Sequence, residues 1–67
     1  MPFRPLTPRE REVLIALDEA QRMKEIALAL GVSEATVKTH ARALFEKLGV
    51  HSRAEATREG RRRGLLG

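Results

Sequence analysis

The chain has 67 residues with no cysteine, no tryptophan and no tyrosine. Without cysteine there is neither a disulfide nor a thiolate metal site, and a reducing cytoplasm is the expected compartment. There is one aspartate, Asp18, and the two histidines, His40 and His51, stand far apart in sequence. No glycine-rich phosphate loop accompanies them. That inventory excludes the usual enzyme constellations, and no cofactor is expected. A chain this short also buries only a modest part of its surface, which disfavours a deep, walled pocket. No apolar run approaches the ~20 residues that cross a bilayer. The start, Met1-Pro2-Phe3-Arg4-Pro5, lacks the apolar stretch of a signal peptide. Strand signals are missing too, since β-branched residues are few and never alternate.

Charge, by contrast, is plentiful and uneven. The net charge is +4, yet residues 1–37 carry five basic and six acidic side chains while residues 38–67 carry eight basic and three acidic. A basic half beside a near-neutral half has two readings. It suits a polyanionic partner, whose phosphates release counterions on binding, or it is a solvated arginine-rich surface.

Helix punctuation is dense. Thr7-Pro8-Arg9-Glu10 reads as a capping box with proline at the first helical position, and Val13, Leu14 and Leu17 follow as a buried stripe. These predict a first helix over about 8–20, with Leu6 placed as a hydrophobic staple. Ile26, Ala27 and Leu30 give the inner face of a short helix over about 23–30, which Gly31 stops. Ser33 is the next N-cap, with Glu34 in the first turn. Val37, Ala41, Leu44 and Leu48 then form one continuous apolar edge, so the third helix spans about 33–48 and ends at Gly49. Ser52-Arg53-Ala54-Glu55 reads as a second capping box, opening a helix over about 52–63. The expected fold is all-α, one domain over 1–67, a four-helix bundle with a central helix-turn-helix.

That helix-turn-helix is the unit from Met23 to Leu44. Counted from Met23, Ala27 takes the fifth position, where two helices touch and only a small side chain fits. Gly31 takes the ninth, where the turn needs positive φ. Ile26, Leu30, Val32 and Val37 fill the apolar slots that lock the crossing. Off the buried stripe of the third helix lie Lys38, Thr39 and Arg42, near the amino-terminal half that such a helix pushes into the major groove. Lysine and arginine donate to guanine O6 and N7, and the Thr39 methyl suits a thymine methyl. These three are the expected base contacts.

Contacts to the DNA backbone are expected at Lys24, Ser33, Thr36, His40 and Lys47. Several residues in this region have two readings. Glu34 either accepts from cytosine N4 or serves the helix dipole. His40 either bonds a phosphate or is structural. Lys47 and Arg53 either touch the backbone or belong to a solvated face.

Leu6-Thr7-Pro8-Arg9-Glu10-Arg11-Glu12-Val13-Leu14, Lys24-Glu25-Ile26-Ala27, Ser33-Glu34-x-Thr36-Val37-Lys38-x-His40 and Lys47-Leu48-Gly49-Val50 together resemble the LuxR-type (GerE-like) helix-turn-helix domains. Arg53-x-Glu55-Ala56 and Gly64-Leu65-Leu66 extend the resemblance over nearly the whole chain. It implies sequence-specific binding to double-stranded DNA by a bacterial transcription regulator, often the effector domain of a response regulator. It also implies a third helix that reads DNA and a fourth that commonly pairs two copies.

This sequence departs from the pattern at Ala20, where a turn glycine is usual, so either the first helix extends or the turn changes type. A polar phosphate contact at position 23 is lost to methionine. Thr57, Gly60 and the run Arg61-Arg62-Arg63 stand against a homodimer through the fourth helix. Two alternatives use similar motifs: the fourth region of a sigma factor, which adds a contact with RNA polymerase, and a protein-interaction module on the same fold.

Overall fold

A computed structural model describes residues 5–66 of the chain. It contains α1 (Pro8–Asp18), α2 (Met23–Leu30), α3 (Glu34–Leu48) and α4 (Arg53–Arg62), with no strand among the described residues. None of these helices is long and apolar enough to cross a membrane.

Each helix starts where side chains satisfy its free amides. Thr7 and Glu10 form the complete capping box: the Glu10 amide donates to Thr7 Oγ1 at 3.1 Å and the Thr7 amide to Glu10 Oε1 at 2.9 Å. Ser33 accepts from the Thr36 amide at 3.1 Å. Ser52 accepts from the Glu55 amide at 3.2 Å, but the Glu55 carboxylate takes the Ser52 hydroxyl rather than its N–H. The second box expected from sequence is therefore only half made. At α2 the reverse half exists, with the Arg22 amide donating to Glu25 Oε1 at 2.7 Å. Leu6 packs against the core, but its strict staple partner would be Arg11, which is exposed, so the contact is with the bundle as a whole.

All four helices stop in the same way. A residue at positive φ follows each, and crossed backbone bonds close the last turn, as in the pair Ala20 N to Leu17 O (3.1 Å) and Gln21 N to Ala16 O (3.2 Å). Three of those residues are Gly31, Gly49 and Gly64; the fourth is Ala20, at φ 61°. Helix α1 thus ends at Asp18, short of the expected Glu19 or Ala20, and keeps the turn that glycine would have made. The alanine carries the strain of the left-handed region instead.

Helix α3 is the axis of the bundle and packs on α1, α2 and α4. Val37, Ala41, Leu44 and Leu48 meet Val13, Leu14 and Leu17 of α1, Ile26 and Ala27 of α2, and Ala56 of α4 in one core. Gly60 is buried where α4 crosses α1. A Cβ there would lie 3.0 Å from Leu14 Cδ2 and 3.2 Å from Leu66 Cδ1. Its weak helix propensity is the cost of that close approach.

Three cations bind α1 to the second half of the chain. Lys47 of α3 reaches Glu10 in the first turn of α1 at 2.7 Å. Arg53 of α4 donates from Nε and Nη2 to the Leu17 carbonyl at 3.2 and 2.9 Å, closing the other end of α1. Arg61 of α4 pairs with Asp18.

Candidate nucleic-acid interface

The buried stripe of α3 fixes what its opposite side presents. At 3.6 residues per turn, burying Val37, Ala41, Leu44 and Leu48 turns Ala35, Thr39 and Arg42 outward, with Lys38 one turn before Arg42 at the edge of the same face. All four are exposed. Neither Lys38 nor Arg42 takes part in an ion pair among the described residues. The Thr39 hydroxyl donates back to the Ala35 carbonyl at 3.0 Å, so its proton is already engaged within the helix. Ala35, on the outer side of the first turn, adds no bulk that would hold the helix away from a groove.

Around this tip stand four of the five residues expected to meet the DNA backbone. Lys24 is exposed in the first turn of α2, where free amides and the helix dipole favour an anion. Ser33 is exposed and shares a hydrogen with Thr36 Oγ1 at 3.0 Å while capping α3. Thr36 and His40 are half-buried.

Lys47 is different. Its side chain is 17% exposed, and Nζ donates to Glu10 Oε1 at 2.7 Å and to the Pro5 carbonyl at 3.2 Å. It serves an internal bond, and so does Arg53.

The partner of Lys47 is the residue that sequence reasoning missed. Glu10 is 5% exposed, and its Oε1 also accepts from the Thr7 amide. Burial raises the pKa of its carboxyl, but the hydrogen bonds from Lys47 and the Thr7 amide outweigh that and hold it below the usual carboxylate range. A signal was present: Glu10 lies three, four and seven residues before Val13, Leu14 and Leu17, in register with the buried stripe of α1. An acid on that stripe needs a cation from elsewhere in the fold.

A second feature not foreseen is an open groove of about 730 Å³ along one flank of α3. Met23, Ala41, Phe45 and Val50 contribute apolar surface, and Lys38, Arg42, His51 and the acid Glu46 line it with them. The methionine at position 23, read from sequence only as a lost phosphate contact, is a wall of this groove.

Comparison with known proteins decides the family. The family of bacterial regulatory proteins called luxR, or GerE, matches residues 4–59. The chain belongs to this family. Its members are DNA-binding transcription regulators and not enzymes.

Among family relatives, the chain is 49% identical over 61 residues to a probable transcriptional regulatory protein NarL of Mycobacterium tuberculosis, covering 91% of this chain and 28% of that protein. It is 50% identical over 56 residues to the nitrate/nitrite response regulator protein NarP of Escherichia coli, covering 84% and 26%. The chain therefore spans little more than a quarter of the length of these relatives. Among solved structures, the transcription factor GerE superposes with a TM-score of 0.86 at 40% identity, over 96% of this chain and 97% of that one. The response regulator ChrA of a heme-sensing two-component system superposes at 0.90 and 38% identity, over 97% of this chain and 32% of that one. The luxR match runs through α3 and into α4, which favours this family over the sigma-factor alternative.

Proposed function

We propose that this domain binds double-stranded DNA with the outward face of α3 in the major groove. Lys38 and Arg42 donate to guanine edges, and the Thr39 methyl packs on a thymine methyl. Lys24, Ser33, Thr36 and His40 hold the sugar–phosphate backbone on either side. The flanking groove receives the edge of one strand, with Met23 and Phe45 packing on deoxyribose carbons. A regulator of this kind works in the cytoplasm.

One observation carries the reading. Lys47, Arg53, Arg61, Arg62 and Arg63 are all engaged by acids or carbonyls of the same chain. Lys38 and Arg42 are exposed, a turn apart, on the face that the core leaves outward. Among the described residues, Lys24, Lys38 and Arg42 can therefore meet a polyanion at the tip of the helix-turn-helix without first breaking an ion pair, while the other unpaired exposed cations, such as Arg11 and Arg58, stand apart on α1 and α4.

Two copies are brought together by the DNA in this proposal. The outward side of α4 carries Ala54, Glu55, Arg58, Arg61 and Arg62, all exposed, and no large apolar side chain. A pair formed through α4 alone would bury charge with little apolar area in return. A single domain covers only about four or five base pairs, so two copies on one palindromic site supply the missing specificity.

The test is a DNA titration over a range of salt, using a duplex selected by the wild-type chain from a random-sequence pool. Affinity should fall steeply as salt rises. Lys38→Ala or Arg42→Ala should each weaken binding to that duplex by roughly 1–3 kcal/mol with the melting temperature unchanged. Binding indifferent to salt would refute the reading.

A further inference from the structure

We infer that Lys47 and Glu10 form a positioning pair for DNA recognition, in which Lys47 acts through Glu10 and makes no phosphate contact. The inference rests on the DNA-binding reading above and assigns a role to a site away from the reading face.

The geometry is that of a strut. Lys47 leaves α3 one residue before its last, and its Nζ meets Glu10 Oε1 at 2.7 Å and the Pro5 carbonyl at 3.2 Å. The same Oε1 accepts the Thr7 amide at 2.9 Å, so one oxygen joins the N-cap of α1, the chain preceding it and the far end of α3. Glu10 is almost wholly enclosed and Lys47 is largely so. To meet a phosphate, Lys47 would have to leave a buried carboxylate without its cation, which is a costly exchange for a contact made in high-dielectric solvent.

The strut also sits where leverage is greatest. Lys38 and Arg42 occupy the first half of α3 and Lys47 the last turn. The core side chains that hold α3 are aliphatic, and their packing resists separation better than it resists sliding or rolling about the helix axis. A short, directional charge-assisted bond at the far end fixes what that packing leaves loose. Losing it lets the tip of α3 tilt, and base-edge hydrogen bonds are more sensitive to tilt than phosphate contacts are.

The decisive comparison is between Glu10→Gln and the double variant Glu10→Gln/Lys47→Met. Glutamine keeps the capping box, since its side-chain oxygen still accepts the Thr7 amide. The double variant leaves no orphaned buried charge and folds even if Lys47→Met alone does not. Each is assayed at low temperature, with its folding checked by circular dichroism, on the selected duplex and on a random-sequence duplex.

Glu10→Gln should weaken binding to the selected duplex about five- to tenfold, the lower range for coupling between separate sites. Binding to the random duplex should stay unchanged. The double variant should show the same loss on the selected duplex and keep the wild-type salt slope, and Lys47→Arg, which keeps the cation, should bind close to wild type.

Three results overturn the inference. One is a salt slope about one phosphate shallower for the double variant than for wild type. Another is Glu10→Gln binding the selected duplex as wild type does while only its melting temperature falls. The third is an equal loss on both duplexes. Failure of the wild-type chain to bind DNA would be visible before any variant is compared, and it would sink the DNA reading itself.

Discussion

Replacing Gly60 with alanine sets two known effects against each other at one atom. Gly60 lies inside α4, and alanine in a helix interior is favoured over glycine by about 1 kcal/mol. By propensity alone the variant should be more stable. The added Cβ, however, would stand 3.0 Å from Leu14 Cδ2, 3.4 Å from Leu14 Cδ1 and 3.2 Å from Leu66 Cδ1. Leu66 is half-buried and can move aside. Leu14 is fully enclosed at 0% exposure and has core neighbours on every side, so it cannot. Overpacking of this kind costs roughly 1–3 kcal/mol.

The net expectation for Gly60→Ala is a loss of about 1 kcal/mol, or a melting temperature lower by about 4–8 °C for a domain of this size. Leu14→Val removes both Cδ atoms and with them the clash. In that background Gly60→Ala should stabilise the domain by about 1 kcal/mol, for a coupling of about 2 kcal/mol between the two sites. Thermal and urea unfolding of the four proteins of this cycle measure it. A higher melting temperature for Gly60→Ala in the wild-type background, or a coupling below about 0.5 kcal/mol, would show that α4 does not press on Leu14 as described.

Ala20→Gly should stabilise the chain by about 0.5–1 kcal/mol, because relief of the left-handed strain exceeds the added unfolded-state freedom; an unchanged or lower melting temperature would count against the positive φ of 61° at that position. The Glu10 carboxyl is held below its ordinary pKa in the folded chain, so its contribution is present above the unfolded value of about 4.3 and is lost as the pH falls through the folded value. Acid unfolding should accordingly be steeper for wild type than for Glu10→Gln, and parallel curves from circular dichroism would refute the assigned bond. Sedimentation should give a monomer for the free chain and two chains per palindromic duplex; a dimer without DNA would restore pairing through α4.

Much of the fold was legible because its determinants are local. Helix starts follow from Thr7, Ser33 and Ser52 capping amides three residues away, and three of the four stops follow from glycines that reach positive φ without strain. The buried stripe of α3 is a periodicity, and the face opposite it follows by subtraction, which is why Lys38, Thr39 and Arg42 emerge exposed where they were expected. The α1 stop escaped because a glycine-like turn closes at an alanine, and Arg53 of α4, distant in sequence, holds the Leu17 carbonyl beside it. Local propensity at Ala20 points to a longer helix and loses.

The cations show where sequence reasoning runs out. Lys47, Arg53 and Arg61 look like Lys24, Lys38 and Arg42 in any count of charge, yet the first three are bound to α1 across 36 to 43 residues. Such pairing depends on which helix end meets which, and neither composition nor periodicity carries that information. What can be read is the converse. An acid that falls on an apolar stripe, as Glu10 does with Val13, Leu14 and Leu17, must find a positive partner in the core-facing geometry or the fold would not tolerate it. The same rule narrows the DNA interface, since each cation claimed from within leaves fewer to meet phosphate. Subtracting Lys47, Arg53 and the Arg61–Arg63 run leaves Lys38, Arg42 and Arg58 of the basic half, and the first two share the outward side of α3. Several of the cations that first suggested nucleic acid are thus engaged within the chain, and specificity must come from the few side chains left free on the outward side of α3.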